Sequence, residues 1–240
     1  MAQYFTDFSS TDVGNQPSDT TLRRSSASGD FTKQTDNTVD VLRYLAPSGG
    51  TAARGIAFDD AASSGVVEAV TELRDVDNSV PPSARLLAYA TDSPEDEYGA
   101  ILDVDNDRVT IYRRVSGSFT ELARKTSVPM NSSDYYMLRF RVTPGSPNQI
   151  QARTWDSGTT EPATWDLDTT DGNLTLTSGW TGVLGFTVSD TVYYRMVGIG
   201  TDGDPAPTEA VEDFDPANLQ ATVDGDTVSL SWDASPLLTA

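Results

Sequence analysis

Along most of this chain apolar and polar residues alternate with a period of two, the pattern of strands that bury one face and solvate the other. In the stretch 135–142, Tyr136, Leu138, Phe140 and Val142 fall on one face, while Arg139 and Arg141 point the other way. Tyr98, Ala100, Leu102 and Val104 repeat the pattern over 98–104. Further strands are predicted over 3–8, 39–45, 55–58, 66–74, 85–91, 109–115, 119–125, 149–155, 182–187 and 192–200. Stripes of helical period are missing, and Gly, Pro, Asn, Asp and Ser cluster between the segments at short intervals. Many short strands separated by turn residues predict an all-β protein built as an antiparallel sandwich.

Two stretches break the pattern. Residues 9–38 are poor in apolar periodicity and rich in Ser, Thr and Asp, and read as a surface excursion with one or two short strands around Leu22 and Phe31. Residues 201–213 carry the Pro- and Asp-rich composition of an extended linker. Beyond it, Leu219, Ala221 and Val223, then Val228, Leu230 and Trp232, form two clean alternations about a turn at Asp224-Gly225. The predicted organisation is a main domain over 1–200, a linker over 201–213 and a short β unit over 214–240.

Composition narrows the chemistry. The chain has no His and no Cys, so there is no imidazole acid or base, no thiolate nucleophile, no disulfide and no N/S zinc site. It carries 36 Asp+Glu against 16 Lys+Arg, a formal charge of -20; 28 of the acids are Asp and only two of the cations, Lys33 and Lys125, are Lys. Asp excess with Lys depletion is the composition of a protein that works in brine, where molar salt screens self-repulsion. The acids are scattered along the chain rather than gathered in runs, which favours salt adaptation over a dedicated site for a basic partner. No basic stripe exists to neutralise phosphates, so nucleic acid is excluded as a partner. No apolar run approaches the ~20 residues that span a bilayer, and residues 1–7 lack the features of a signal peptide.

Several phrases carry a resemblance. The sequence 8–17 (FSSTDVGNQP), Gly117–Ala123, Leu138–Val142, Ala152–Trp155 with Glu161–Trp165, and 198–207 (GIGTDGDPAP) resemble, in order, the concanavalin A-like, laminin G-type jelly rolls of tail and fibre proteins of tailed viruses. Pro216, Leu219, Val223, Val228, Leu230 and Trp232 resemble the opening strands of a fibronectin type III domain. With the acidic composition, these resemblances imply a jelly-roll protein of a virus of salt-loving hosts. They say little about activity, because sites are grafted onto folds independently.

Three kinds of candidate site emerge. Paired carboxylates suit glycan hydrolysis at about 5–9.5 Å separation. Glu68 and Glu72, four strand residues or ~13 Å apart, are too distant. Asp75/Asp77 and Asp103/Asp105 have usable spacing but sit in turn-like sequence. Asp103, Asp105 and Asp107 offer alternating oxygens of the kind Ca2+ accepts. Arg108 and Arg114 replace the Gly and Glu of a calcium loop, and a hairpin turn is preferred there. Among the aromatics Trp155, Trp165, Trp180, Tyr193 and Tyr194, Trp155 falls opposite Ile150, Ala152 and Thr154. Trp155 and Trp165 are therefore the candidates for contact with a glycan or partner. Asn131-Ser132-Ser133 and Asn173-Leu174-Thr175 match the N-glycosylation acceptor pattern.

The reading that follows is a non-enzymatic structural or adhesion protein of a virion appendage: a tail fibre, baseplate component or capsid turret. It would contact other virion proteins, assemble as a homo-oligomer with a trimer as first expectation, and bind host surface glycoprotein or glycan. The alternatives are an extracellular glycan hydrolase of a halophile and a secreted cellular adhesin.

Overall fold

In the computed structural model two eight-stranded antiparallel sheets face each other, as the alternating pattern requires. Residues 3–25, 30–45, 52–58, 63–75, 84–173, 176, 178–187, 191–209, 219–224 and 227–232 are described. Sheet A runs in the order β14 (Leu167–Asp171), β13 (Asn148–Asp156), β12 (Tyr136–Thr143), β7 (Val67–Asp75), β16 (Thr191–Thr201), β4 (Val39–Leu45) and β3 (Asp30–Asp36). β1 (Gln3–Thr6) pairs with the second half of β16, beyond the end of β4. Sheet B runs β11 (Ser118–Thr126), β10 (Arg108–Val115), β9 (Glu97–Asp103), β8 (Ala84–Ala90), β15 (Ser178–Thr187), β5 (Ala52–Phe58) and β2 (Thr20–Ser25). The two-residue β6 (Ser63–Ser64) pairs with the start of β15.

The inward face of each strand supplies the core. From sheet A come Val67, Ala69, Leu73, Tyr136, Leu138, Phe140, Val142, Ile150, Ala152, Val192, Tyr194, Val197 and Ile199, all buried in one cluster with Leu86, Ala88, Tyr98, Ala100, Leu102, Val109 and Ile111 of sheet B. The predicted segments 98–104 and 135–142 bury the residues their alternation assigned to the core. The short strands expected around Leu22 and Phe31 are β2 and β3, one in each sheet.

β16 carries a bulge. Tyr194 pairs with Leu73 and Met196 with Glu72, so Arg195 is an extra residue with no partner in the register. The bulge reverses the strand's parity, from Val192 and Tyr194 inward before it to Val197 and Ile199 inward after it. Arg195 and Met196 therefore both face outward, Arg195 onto Glu72 and Met196 into the cluster with Trp155 and Ala206.

Residues 201–207, read as the start of a linker, lie on the outer face of sheet A instead. Ala206 is 3% exposed and packs with Val70, Met137, Trp155 and Met196. Its N–H donates to Glu68 Oε1 at 3.1 Å, and its carbonyl accepts from Arg139 Nη1 at 3.0 Å. The Gln3 amide reaches the Pro205 carbonyl at 2.7 Å. The backbone comes this close because β16 presents Gly198 and Gly200 beneath it. A Cβ on Gly198 would fall on the Pro207 carbonyl oxygen, and one on Gly200 on that of Asp204.

Residues 211–240 form a second unit. In it β17 (Leu219–Asp224) and β18 (Thr227–Trp232) make an antiparallel hairpin. Leu219 pairs with Trp232, Ala221 with Leu230 and Val223 with Val228. Asp224 ends β17, and Gly225 of the expected turn lies outside the described residues.

Candidate functional site

At one end of sheet A an open cleft of about 700 Å³ lies between the β11–β12 loop, the start of the β13–β14 loop and the β16 bulge. It is lined by Asn131, Asp134, Tyr135, Tyr136, Asp156 and Arg195, among others. Each wall follows from a local cause. The β11–β12 loop is held by Asp107: its carbonyl accepts from Val128 N–H and its Oδ1 from Met130 N–H, both at 2.9 Å. The loop's far side is pinned where Asn131 N–H donates to the Tyr136 hydroxyl at 2.6 Å.

Tyr135 and Arg195 form the wall nearest the sheet. The Arg195 guanidinium lies 3.5 Å from the centre of the Tyr135 ring, and Arg74 lies 5.1 Å from it. Arg195 also donates to Glu72 Oε1 at 3.0 Å, and the Ser157 hydroxyl donates to the same oxygen at 2.5 Å. The Tyr135 hydroxyl donates to Asp36 at 2.6 Å, and Arg74 pairs with that carboxylate at 3.0 Å. Burial, then the hydrogen bond to Asp36 and its charge, push the Tyr135 hydroxyl well above the usual tyrosine range. It stays a neutral donor, and two guanidinium groups lie over its ring. Burial likewise raises Tyr136.

Against this ordered wall stand two carboxylates, Asp134 and Asp156. Both are exposed, and among the described residues neither side chain has a hydrogen bond or ion pair. The cleft thus presents free acceptors and the Ser133 and Thr159 hydroxyls beside Tyr135 and Tyr136. That set suits a polyhydroxylated ligand.

The predicted aromatic pair lies elsewhere on the same face. Trp155 does point away from the core, opposite Ile150 and Ala152, but it is 9% exposed and packs against Met137, Met196 and Ala206. Trp165 is half-buried beneath Arg153, whose guanidinium lies 4.4 Å from its ring. Arg153 in turn pairs with Glu161 and donates to the Pro162 carbonyl at 2.8 Å. Glu161 also binds Arg139, which pairs with Glu68. Neither tryptophan lines the cleft.

The three aspartates of the β9–β10 connection do not converge. Asp103 is buried, pairs with Arg108 and accepts from the Asn106 side chain at 2.9 and 3.0 Å. Asp105 is exposed, and Asp107, at φ +51°, holds the neighbouring loop. Among the described residues no group of three or more acidic side chains is placed to hold a metal ion. Of the other spaced carboxylates, Asp75 is buried and Asp77 lies outside the described residues. Glu68 and Glu72 are committed to Arg139 and Arg195.

Sequence reasoning did not find the cleft, although one signal was available. Apolar residues at 192 and 194 and then at 197 and 199 change parity, and that shift marks a bulge that puts both residues between them, Arg195 and Met196, on the outer face.

No protein family matches the chain by sequence, and neither does any curated protein. Solved structures do match. The carbohydrate-binding module CBM66 from Bacillus subtilis superposes with a TM-score of 0.50 at 14% identity, over 73% of this chain and 91% of that one. A protein of unknown function from Shewanella oneidensis MR-1 gives 0.55 at 11% identity, over 82% and 84%. The fold is a jelly-roll sandwich. The exoplasmic/lumenal domain of VIP36, in a form bound to Ca2+ and Man3GlcNAc, is also similar, with a TM-score of 0.48 at 14% identity over 88% and 96%.

Proposed function

We propose that this jelly roll is a non-catalytic glycan-binding module, and that the cleft between Asn131, Asp134, Tyr135, Asp156 and Arg195 is its ligand site. The observation that carries the proposal is the pair of unpartnered carboxylates, Asp134 and Asp156, in an open cleft walled by immobilised tyrosines. Sugar hydroxyls donate to such carboxylates, and the fixed tyrosines give the cleft a preformed wall. The likeness to a carbohydrate-binding module agrees with this use of the fold.

The wider setting is part of the same proposal. The acid-rich, Lys-poor composition and the resemblance to tail and fibre proteins support a surface appendage of a virus of salt-loving hosts. There the module would bind host surface glycan or glycoprotein, and the chain would assemble with copies of itself and with other virion proteins. The hairpin of β17 and β18 supports a fibronectin III-like link to the next part of the assembly. Trp165 would offer a secondary contact.

The test is a screen of neutral and acidic glycans in molar salt, followed by titration of the best binder. Asp134→Asn with Asp156→Asn should weaken binding at least ~10-fold, about 1.4 kcal/mol, with an unchanged melting temperature. No binding across the screen, or a double variant that binds like wild type, would refute the proposal.

A further inference from the structure

We propose that Asn131 is an attachment site for an N-linked oligosaccharide. The chain holds two acceptor patterns, Asn131-Ser132-Ser133 and Asn173-Leu174-Thr175, and neither has proline in the middle position. The two asparagines differ in the atom that matters, the side-chain amide nitrogen.

Asn173 has its nitrogen committed. Its Nδ2 donates to Asp171 Oδ1 at 3.2 Å, and its backbone N–H donates to the same oxygen at 3.1 Å. That carboxylate also takes the Tyr98 hydroxyl at 3.0 Å and pairs with Arg113. Glycosylation at Asn173 would pull a donor out of a buried polar cluster directly after β14. Leu174 and Thr175 lie outside the described residues.

Asn131 is placed the other way. Like Asn173 it is exposed, and it lies in an irregular loop between β11 and β12. Its Oδ1 accepts both the N–H and the hydroxyl of Ser133, each at 2.9 Å. This turn occupies the carbonyl end of the amide with the very hydroxyl that the acceptor pattern demands. Among the described residues Nδ2 has no hydrogen-bond partner. Over residues 127–134 the loop's backbone bonds go to Asp107, the Tyr136 hydroxyl and the loop itself, and the β12–β13 pairing is continued only at Tyr135, whose carbonyl accepts from Ser157 N–H. It can therefore enter a transferase without breaking either sheet.

The chemistry is a transfer from a lipid-phosphate-linked oligosaccharide. Asn131 Nδ2 forms a bond to the anomeric carbon, the bond from that carbon to the phosphate oxygen breaks, and the lipid phosphate leaves with the electron pair. The amide proton passes to a base of the transferase. Because Asn131 lines the cleft, the attached glycan would stand at its mouth. The attachment itself does not depend on what the cleft binds.

The test offers the folded full chain to a purified oligosaccharyltransferase with a lipid-linked oligosaccharide donor, and reads intact mass and the modified peptide. A synthetic peptide spanning 128–136 serves as the control for enzyme activity. Wild type should gain one glycan mass, mapped to Asn131. Asn131→Gln and Ser133→Ala should abolish it; Ser133→Thr and Asn173→Gln should retain it. An unmodified chain beside a modified control peptide, or a glycan mapped to Asn173, would overturn the proposal.

Discussion

The carboxylate of Asp171 collects the Tyr98 hydroxyl, the Arg113 guanidinium and both amide donors of Asn173, while Asn148 donates to the same Tyr98 oxygen at 3.1 Å. Burial pushes this carboxyl up, but the Asn173 and Tyr98 hydrogen bonds and the Arg113 charge outweigh burial and hold it below the ordinary carboxylate value. A carboxyl depressed in the folded state adds stability above its unfolded pKa of ~3.9 and loses it as the pH falls through the folded value. Asp171→Asn should therefore cost about 2 kcal/mol at neutral pH, since it leaves the part-buried Arg113 without its partner and weakens the hydrogen bonds the carboxylate accepts. The gap from wild type should shrink below pH ~3.9, where wild type becomes protonated too. Urea unfolding at pH 7 and pH 3 checks both limbs. None of this was legible in the sequence, where Asp171 is one of 28 aspartates. A buried, bonded Asp and a solvated one look alike until the fold brings Tyr98 and Arg113 to it. Trp155 was half legible: alternation placed it on the outer face, but nothing local showed that Ala206 would cover it.

Strands were read well where one face is apolar over several residues, as in β7, β9, β10, β12 and β13. β14 went unread because its sequence 167–171 (LDTTD) holds a single apolar residue, and it owes its pairing to β13. The start of β15 is Ser-Gly-Trp-Thr, which has the composition of a turn. The strap over residues 201–207 was missed for a related reason. It has no periodicity of its own, and its order comes from Glu68, Arg139 and Gln3, all distant in sequence. Its legible half lies in β16, where Gly198 and Gly200 alternate on one face and leave room for a backbone. Gly198→Ala should displace the strap and destabilise the sandwich by about 1–3 kcal/mol, the cost of an added methyl in a packed contact. Limited proteolysis should show new cleavage within 201–209 in that variant, while β9 and β10 stay protected. The measurement separates a packed strap from a linker, since a linker would already be cut in the wild type.

For the molecule as a whole, the charge decides the conditions in which the fold is stable. The buried acids Glu68, Asp103 and Asp171 are each bonded to an arginine, so they are not the source of uncompensated repulsion. That source is the exposed remainder, including Asp12, Asp134 and Asp156, which is spread over turns and edges rather than gathered at one site. Spread charge of one sign repels over a Debye length, about 8 Å at physiological ionic strength and 3 Å at 1 M. Raising KCl from 0.1 to 3 M should therefore raise the melting temperature continuously, by about 10 °C if the gain is near 3–4 kcal/mol for a domain of this size. Sucrose at matched osmolarity separates charge screening from solvent exclusion, because it stabilises by exclusion alone and should give a smaller rise. A dedicated acidic site for a cation predicts a different curve, saturating at millimolar divalent ion and flat above it. A melting temperature that climbs through the molar range, with no plateau at low divalent concentration, would assign the acids to solvation in brine and leave recognition to the few side chains in the cleft.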